Sequence, residues 1–125
     1  MEQIRTILRN KPEEFFVLSG DDALTLDIMD EGGLGVISVA ANTFPEKFCR
    51  CIHGAMAGNI TEAENEMENM DEAINLLFKE GNPVGAKCMA SVMGLTEAEV
   101  RLPLVEATES LRSEIKTAIQ RYDLR

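Results

Sequence analysis

Phe15-Phe16-Val17-Leu18-Ser19-Gly20-Asp21-Asp22 is an unbroken apolar run ending in a small, acidic turn, and the pattern returns as Gly35-Val36-Ile37-Ser38-Val39-Ala40-Ala41-Asn42. Apolar runs without alternation are what strands show when helices cover both of their faces, as in parallel sheets. The two stretches therefore predict strands over Phe15 to Leu18 and over Val36 to Ala41. Between them, Ala23 to Glu31 carries Leu24, Leu26, Ile28 and Met29 and closes on Gly32-Gly33, where a left-handed cap costs little. Ahead of them, Glu2 to Asn10 has Ile4, Ile7 and Leu8 at helical spacing, and Asn10-Lys11-Pro12 supplies a stop. Helix, strand, helix, strand is the order of parallel strands joined by a crossover helix.

Beyond Asn42 the pattern turns helical. Thr43-Phe44-Pro45-Glu46 reads as an N-cap, a first-turn proline and a capping-box glutamate, opening a helix to about Gly58. Thr61 and Glu64 form a similar signature. From there Ile60, Ala63, Met67, Met70, Ile74, Leu77 and Phe78 step by three or four residues, one apolar stripe on a long acidic helix. Asn82-Pro83 predicts a cap and first turn for a helix through Met93, ended by Gly94. Thr96 to Glu99 is read as the start of a further turn. Arg101-Leu102-Pro103-Leu104 is expected to be extended, because proline restricts its predecessor. Thr108 to Tyr122 gives a last helix with Leu111, Ile115 and Ile119 inward.

The whole chain has 125 residues, room for one domain at roughly 150 residues each. At 45% hydrophobic and 27% charged it has the composition of a globular protein. Twelve Lys+Arg against 22 Asp+Glu leave a net charge of −10, which repels a phosphate backbone or an anionic bilayer. Neither nucleic acid nor membrane is an expected partner. No stretch approaches the about 18 apolar residues of a membrane span, and the expected location is the cytoplasm. Three cysteines, two of them only two positions apart at Cys49 and Cys51, argue against a disulfide framework.

Two parallel strands bury their faces only when further strands pair with them. Both predicted strands lie within the first 41 residues, and each has an edge waiting for another. The expectation is a piece of a larger sheet or barrel, α/β in class. In such folds ligand groups come from loops after the carboxyl ends of strands. That rule selects Ser19-Gly20-Asp21-Asp22 and Ala40-Ala41-Asn42-Thr43. The acids there serve equally as helix caps, and the small residues as packing elements.

Four segments in register, Phe16 to Asp22, Gly35 to Asn42, Gly81-Asn82-Pro83-Val84-Gly85-Ala86-Lys87 and Arg101-Leu102-Pro103-Leu104, resemble the C-terminal part of the dihydrodipicolinate (4-hydroxy-tetrahydrodipicolinate) synthase family. The last two segments favour it over the related N-acetylneuraminate lyases. The resemblance implies the C-terminal part of a (β/α)8 TIM barrel, about two parallel strands with their helices over residues 1–58, followed by a helical C-terminal domain over 59–125. It implies a homotetramer of the intact enzyme and a lyase of lysine (diaminopimelate) biosynthesis. There, pyruvate forms a Schiff base with a lysine, becomes an enamine and attacks L-aspartate 4-semialdehyde. In the family that lysine ends the sixth strand, and the tyrosine relay, the threonine clamp and the aldehyde-binding arginine come earlier still. None of them has a counterpart in this chain.

No catalytic residue is therefore assigned. Lys87 lies in the family's helical domain, Lys11 at the wrong end of the barrel, and Lys47, Lys79 and Lys116 read as solvated helix charges. Three positions carry over by resemblance: Ile37, whose backbone lies at the pyruvate site; Gly20, a pocket-lining glycine; and Asn82, a pocket-edge asparagine. Each has a plain structural role as well: a buried strand side chain, a tight turn and a helix cap. Gly81 and Gly85 stand where many members have proline. Met1-Glu2-Gln3-Ile4 resembles the stretch shortly after the lysine motif, so that Met1 is expected to be an internal methionine of a longer frame.

The expected function is thus a fragment of a class I aldolase-type lyase, inactive alone, with pyruvate contact weak or absent. Fragments of other pyruvate aldolases, and a non-catalytic acidic α-rich interaction module that oligomerises through its strands, are the alternatives. No cofactor or metal is expected. Cys49 and His53 share a helix face, but Cys51 points elsewhere and a zinc site needs four converging ligands. The acidic run Glu62 to Glu72 lacks a calcium loop's alternation, and Met67, Met70, Met89 and Met93 fit core filling.

Overall fold

A computed structural model describes residues 1–124. It contains six α-helices: α1 Glu2–Asn10, α2 Thr25–Asp30, α3 Pro45–Met56, α4 Ile60–Phe78, α5 Val84–Val92 and α6 Glu109–Tyr122, with a 3-10 turn at Ala40–Asn42.

The two expected strands form only in part. Ser19 and Val36 make a parallel bridge, flanked by Leu34 N–H to Val17 O at 2.9 Å, Ser19 N–H to Gly35 O at 2.7 Å and Ile37 N–H to Ser19 O at 2.9 Å. The direction is as expected, but among the described residues no strand develops from it. Each segment has one neighbour, so its other edge is unpaired and the ladder ends after a few hydrogen bonds. The second segment also stops early, because Ala40 enters the 3-10 turn.

Helices α2 to α5 are each followed by a glycine at positive φ. Helix α2 closes with Gly32 at φ 104 and Gly33 N–H bonded to Ile28 O at 2.8 Å. Helix α3 opens on Pro45, after Phe44 as N-cap. Thr43, expected as that cap, instead donates its hydroxyl to Ala40 O at 3.0 Å, within the preceding turn. Likewise Thr61 is not a cap: α4 begins one residue earlier, after Asn59. Neither does Asn82 cap α5, which follows Pro83 with no side-chain cap bond. Thr96 to Glu99 is irregular. Arg101 to Leu104 forms a turn, not an extended stretch, with Leu104 N–H donating to Arg101 O at 3.0 Å. Thr108 does cap α6, its hydroxyl accepting from Leu111 N–H.

One core holds α3 to α6 together. Phe48, Met70, Ile74, Leu77, Met89, Leu111 and Ile115 are its largest fully buried side chains, and it runs on from Ala40 to Leu124. Of the stripe expected on α4, Ala63, Met70, Ile74 and Leu77 are buried, whereas Ile60 and Phe78 at its ends are exposed. Helix α5 lies so close to α4 that a Cβ at Gly85 would sit 2.3 Å from Leu77 O. Polar ties fasten the ends: the Glu80 carboxylate accepts both the N–H and the hydroxyl of Thr108, and Glu72 accepts from Arg121 at 2.7 Å and Tyr122 at 2.6 Å. Helix α1 buries none of its residues and is pinned by Arg5 Nε to Glu31 Oε1 at 2.6 Å.

Candidate functional site

The bridge at Ser19 and Val36 brings the two loops selected from the sequence side by side. Gly20 follows Ser19, whose carbonyl accepts the Ile37 N–H, so two of the three expected site residues meet. The first loop is wound on itself: Ser19 Oγ donates to Asp21 O at 2.7 Å and accepts from Asp21 N–H at 3.1 Å. Asp21 Oδ1 accepts from Leu24 N–H at 3.1 Å, the capping role open to an acid at a helix start.

Asp22 does something else. Its side chain is buried, 2% exposed, and its Oδ2 accepts the N–H groups of Val39 and Ala40, each at 3.1 Å. It thus caps the 3-10 turn of the other loop rather than its own helix. Its Oδ1 is buried with no hydrogen-bond partner among the described residues. Sequence reasoning weighed Asp21 and Asp22 as one pair of local caps and missed the tie between loops. A helix start needs one acid, and the second was the available signal.

These ties surround one peptide unit. Ile37 N–H is taken by Ser19 O, and Val39 and Ala40 N–H by Asp22. Between them, the Ile37 C=O and the Ser38 N–H make no hydrogen bond among the described residues. Ser38 Oγ accepts from Ala41 N–H at 2.9 Å, and Asn42 Nδ2 donates to Val39 O at 3.0 Å. A donor and an acceptor are left open on a backbone held at both sides. The Ser38 N–H can donate to a ligand oxygen, while the Ile37 C=O, pointing the opposite way across the trans peptide, can only accept from a donor; groups held in place beforehand need no reordering on binding.

The Ile37 side chain, expected to be buried, is 73% exposed; no residue of the described chain packs over it. Phe16 and Leu18, on the neighbouring segment, are exposed too. Asn82 is not brought to the loops by any hydrogen bond among the described residues. It precedes α5, which packs on the 3-10 turn. A cavity of about 910 Å³ lies elsewhere, lined by residues that include Leu26, Met29, Met56 and Met67. It includes none of Gly20, Ile37 and Asn82.

The lysines fall in separate places. Lys79 pairs with Glu114 at 2.6 Å, Lys47 donates to the Tyr122 carbonyl, Lys116 is exposed on α6 and Lys87 half-buried on α5. Of the residues weighed for metal, Cys49 and His53 are exposed, and Cys51 is buried with its thiol against Ala63 O at 3.2 Å. Burial, and the nearby Glu66 carboxylate, push the Cys51 thiol up to about 11, so it stays protonated and unreactive near neutral pH. None of the helices is long and apolar enough to cross a membrane among the described residues.

Comparison with known proteins converges on one group. The model of the Dihydrodipicolinate synthetase family matches residues 1–122. The 4-hydroxy-tetrahydrodipicolinate synthase of Azobacteroides pseudotrichonymphae is 44% identical over 119 residues, 95% of this chain and 40% of the relative. That of Parabacteroides distasonis is 39% identical over 123 residues, 98% of this chain and 41% of the relative. The crystal structure of dihydrodipicolinate synthase from Aquifex aeolicus superposes with a TM-score of 0.93 at 35% identity, covering 98% of this chain and 42% of that one. The chain spans about two fifths of the length of the relatives it matches.

Proposed function

Because the chain belongs to the dihydrodipicolinate synthetase family, we propose that it forms one wall of the pocket of a pyruvate-dependent lyase, and that the Schiff-base lysine is not among its residues. In this reading residues 1–58 are the end of a (β/α)8 barrel and 59–125 the helical domain that follows it. The intact enzyme is a cytoplasmic homotetramer that condenses pyruvate with L-aspartate 4-semialdehyde. A lysine amine supplies the covalent step there, turning the ketone into an iminium that draws electrons from the neighbouring carbon. This chain's contribution is binding: the Ile37–Ser38 peptide and Gly20 face pyruvate, and Asn82 stands at the pocket edge.

The observation that carries the reading is the clamped Ile37–Ser38 peptide with both polar groups unspent, in one of the four segments that carry the family resemblance. The lysines support the rest, since none of them is hydrogen-bonded to that peptide among the described residues. Incubation of the chain with pyruvate and borohydride, followed by mass spectrometry, is expected to show no adduct. A stoichiometric adduct would falsify the inactivity of this chain.

A second reading, an acidic helical interaction module, is favoured by the core that closes on itself from Ala40 to Leu124. It predicts a monodisperse oligomer paired through the exposed segments at Phe16 and Ile37. A monomer in sedimentation would sink it.

A further inference from the structure

We infer that Asp22 is a positioning residue: it holds the main chain beyond the Ile37–Ser38 peptide so that the free groups of that peptide are presented in one fixed geometry. The inference rests on the reading of this peptide as part of the pyruvate pocket.

Three observations lead to it. First, a single carboxylate oxygen, Asp22 Oδ2, takes two successive N–H groups, from residues 17 and 18 positions further along. With Ile37 N–H held by Ser19 O, the backbone is gripped on both sides of the open peptide and nowhere on it. Second, the turn has local means of forming. Ser38 Oγ already accepts from Ala41 N–H, Asn42 N–H donates to Val39 O at 3.1 Å, and Thr43 bonds back to Ala40 O. A remote acid is not needed to make the turn, so its effect is on where the turn sits.

Third, Asp22 Oδ1 is buried and bare. A buried acceptor without a partner is destabilising, and native proteins hold few of them. An acid buried with one oxygen bare, beside a loop that presents unspent backbone groups, fits a place where geometry is set at some cost in stability.

The test uses the 125-residue chain, labelled with ¹⁵N and ¹³C, without pyruvate. In the unsubstituted chain, couplings across the hydrogen bonds from the Val39 and Ala40 amides to the Asp22 carboxyl carbon are expected; their absence overturns the proposal whether or not any variant folds. In Asp22→Ala, the Val39 and Ala40 amides should exchange about 10- to 100-fold faster, the scale of hydrogen bonds to a charged group. The Ile37 carbonyl and Ser38 amide resonances should move with them, while amides of α4 to α6 keep their rates. Asp22→Asn, which keeps an acceptor oxygen, should restore the resonances. If the Ile37 carbonyl stays in place in Asp22→Ala, or Asp22→Asn behaves like Asp22→Ala, or the change spreads evenly through α4 to α6, Asp22 is a fold element only. Because no pyruvate is involved, that failure leaves the lyase reading standing. An adduct in the borohydride experiment, in turn, would leave these amides unchanged.

Discussion

Residues 1–39 and residues 40–124 are held together by different forces. The second region has a continuous core from Ala40 to Leu124. In the first, Ile28 is the buried apolar residue of the larger kind, and Ser19, Asp22 and Thr25 are the buried polar ones. Phe15, Phe16, Leu18, Leu34 and Ile37 meanwhile stand exposed. One region is stabilised by apolar burial, which is non-directional and collective. The other rests Leu26, Met29, Val36 and Val39 only partly buried against that core and adds a few hydrogen bonds, which are directional and local. Of the groups proposed to meet a ligand, Gly20 and the Ile37–Ser38 peptide lie in the second kind of structure and Asn82 in the first. The lesson is that this fold separates the part that supplies stability from the part that supplies geometry.

The comparison breaks most readily by substitution in the two regions. Ile115→Ala, at a fully buried position on α6, should lower unfolding free energy by about 3 kcal/mol through lost burial and the cavity left behind. Ile7→Ala on α1, where nothing is buried, should cost less than about 0.5 kcal/mol. Urea titration of both variants reads the difference, and equal losses would mean that the first region carries core weight too. Next in size is Gly85→Ala. The added Cβ would lie 2.3 Å from Leu77 O and 2.6 Å from Leu76 O, forcing α5 away from α4 at a cost of about 2 kcal/mol. A variant with the parent's melting temperature would show that the two helices slide apart freely.

The smallest effect is electrostatic. Hydrogen bonding by Tyr122, and then the charge of Arg121, hold the Glu72 carboxyl below its ordinary value of 4.5. A carboxylate whose folded value is depressed contributes stability above its unfolded value and loses it as pH falls through the folded one. The contribution should therefore be intact at neutral pH and vanish in the range below about 4.5. Tyr122→Phe is expected to lower stability slightly at neutral pH, the effect being small because the group is at the surface, and to converge with the parent as pH falls below about 4.5. Urea titrations at neutral pH and in acid would show it, and a difference from the parent that does not shrink in acid would remove the Glu72 carboxylate from the account.

Much of the helical region was legible from spacing alone. Leu111, Ile115 and Ile119 were expected inward on α6 and are buried, and Gly32-Gly33 ends α2 as glycine chemistry suggests. Side-chain caps were less legible. Thr43, Thr61 and Asn82 have the right chemistry, yet backbone and tertiary contacts set the helix starts at neighbouring residues. The strands were legible as a direction but not as elements. Pattern reports which residues want to be covered, and pairing depends on whether a neighbour is there to cover them. For the site, Gly20 and Ile37 were placed by resemblance and the loops by topology. Asp22's tie to Val39 and Ala40 was invisible because no periodic signal links residues 17 and 18 positions apart across two loops.

The grip of Glu80 on Thr108 has a consequence for how this chain tolerates change. The irregular stretch over 95–107 starts at Leu95, whose N–H is fixed to Ala90 O at 2.9 Å, and finishes at a residue anchored from the end of α4. Both ends are therefore set without help from the residues between. Closing a flexible loop grows costlier only with the logarithm of its length, about 0.6 kcal/mol for each doubling. An insertion into this stretch need not disturb the packing of α5 or α6. It is the natural place for a foreign epitope or a reporter peptide.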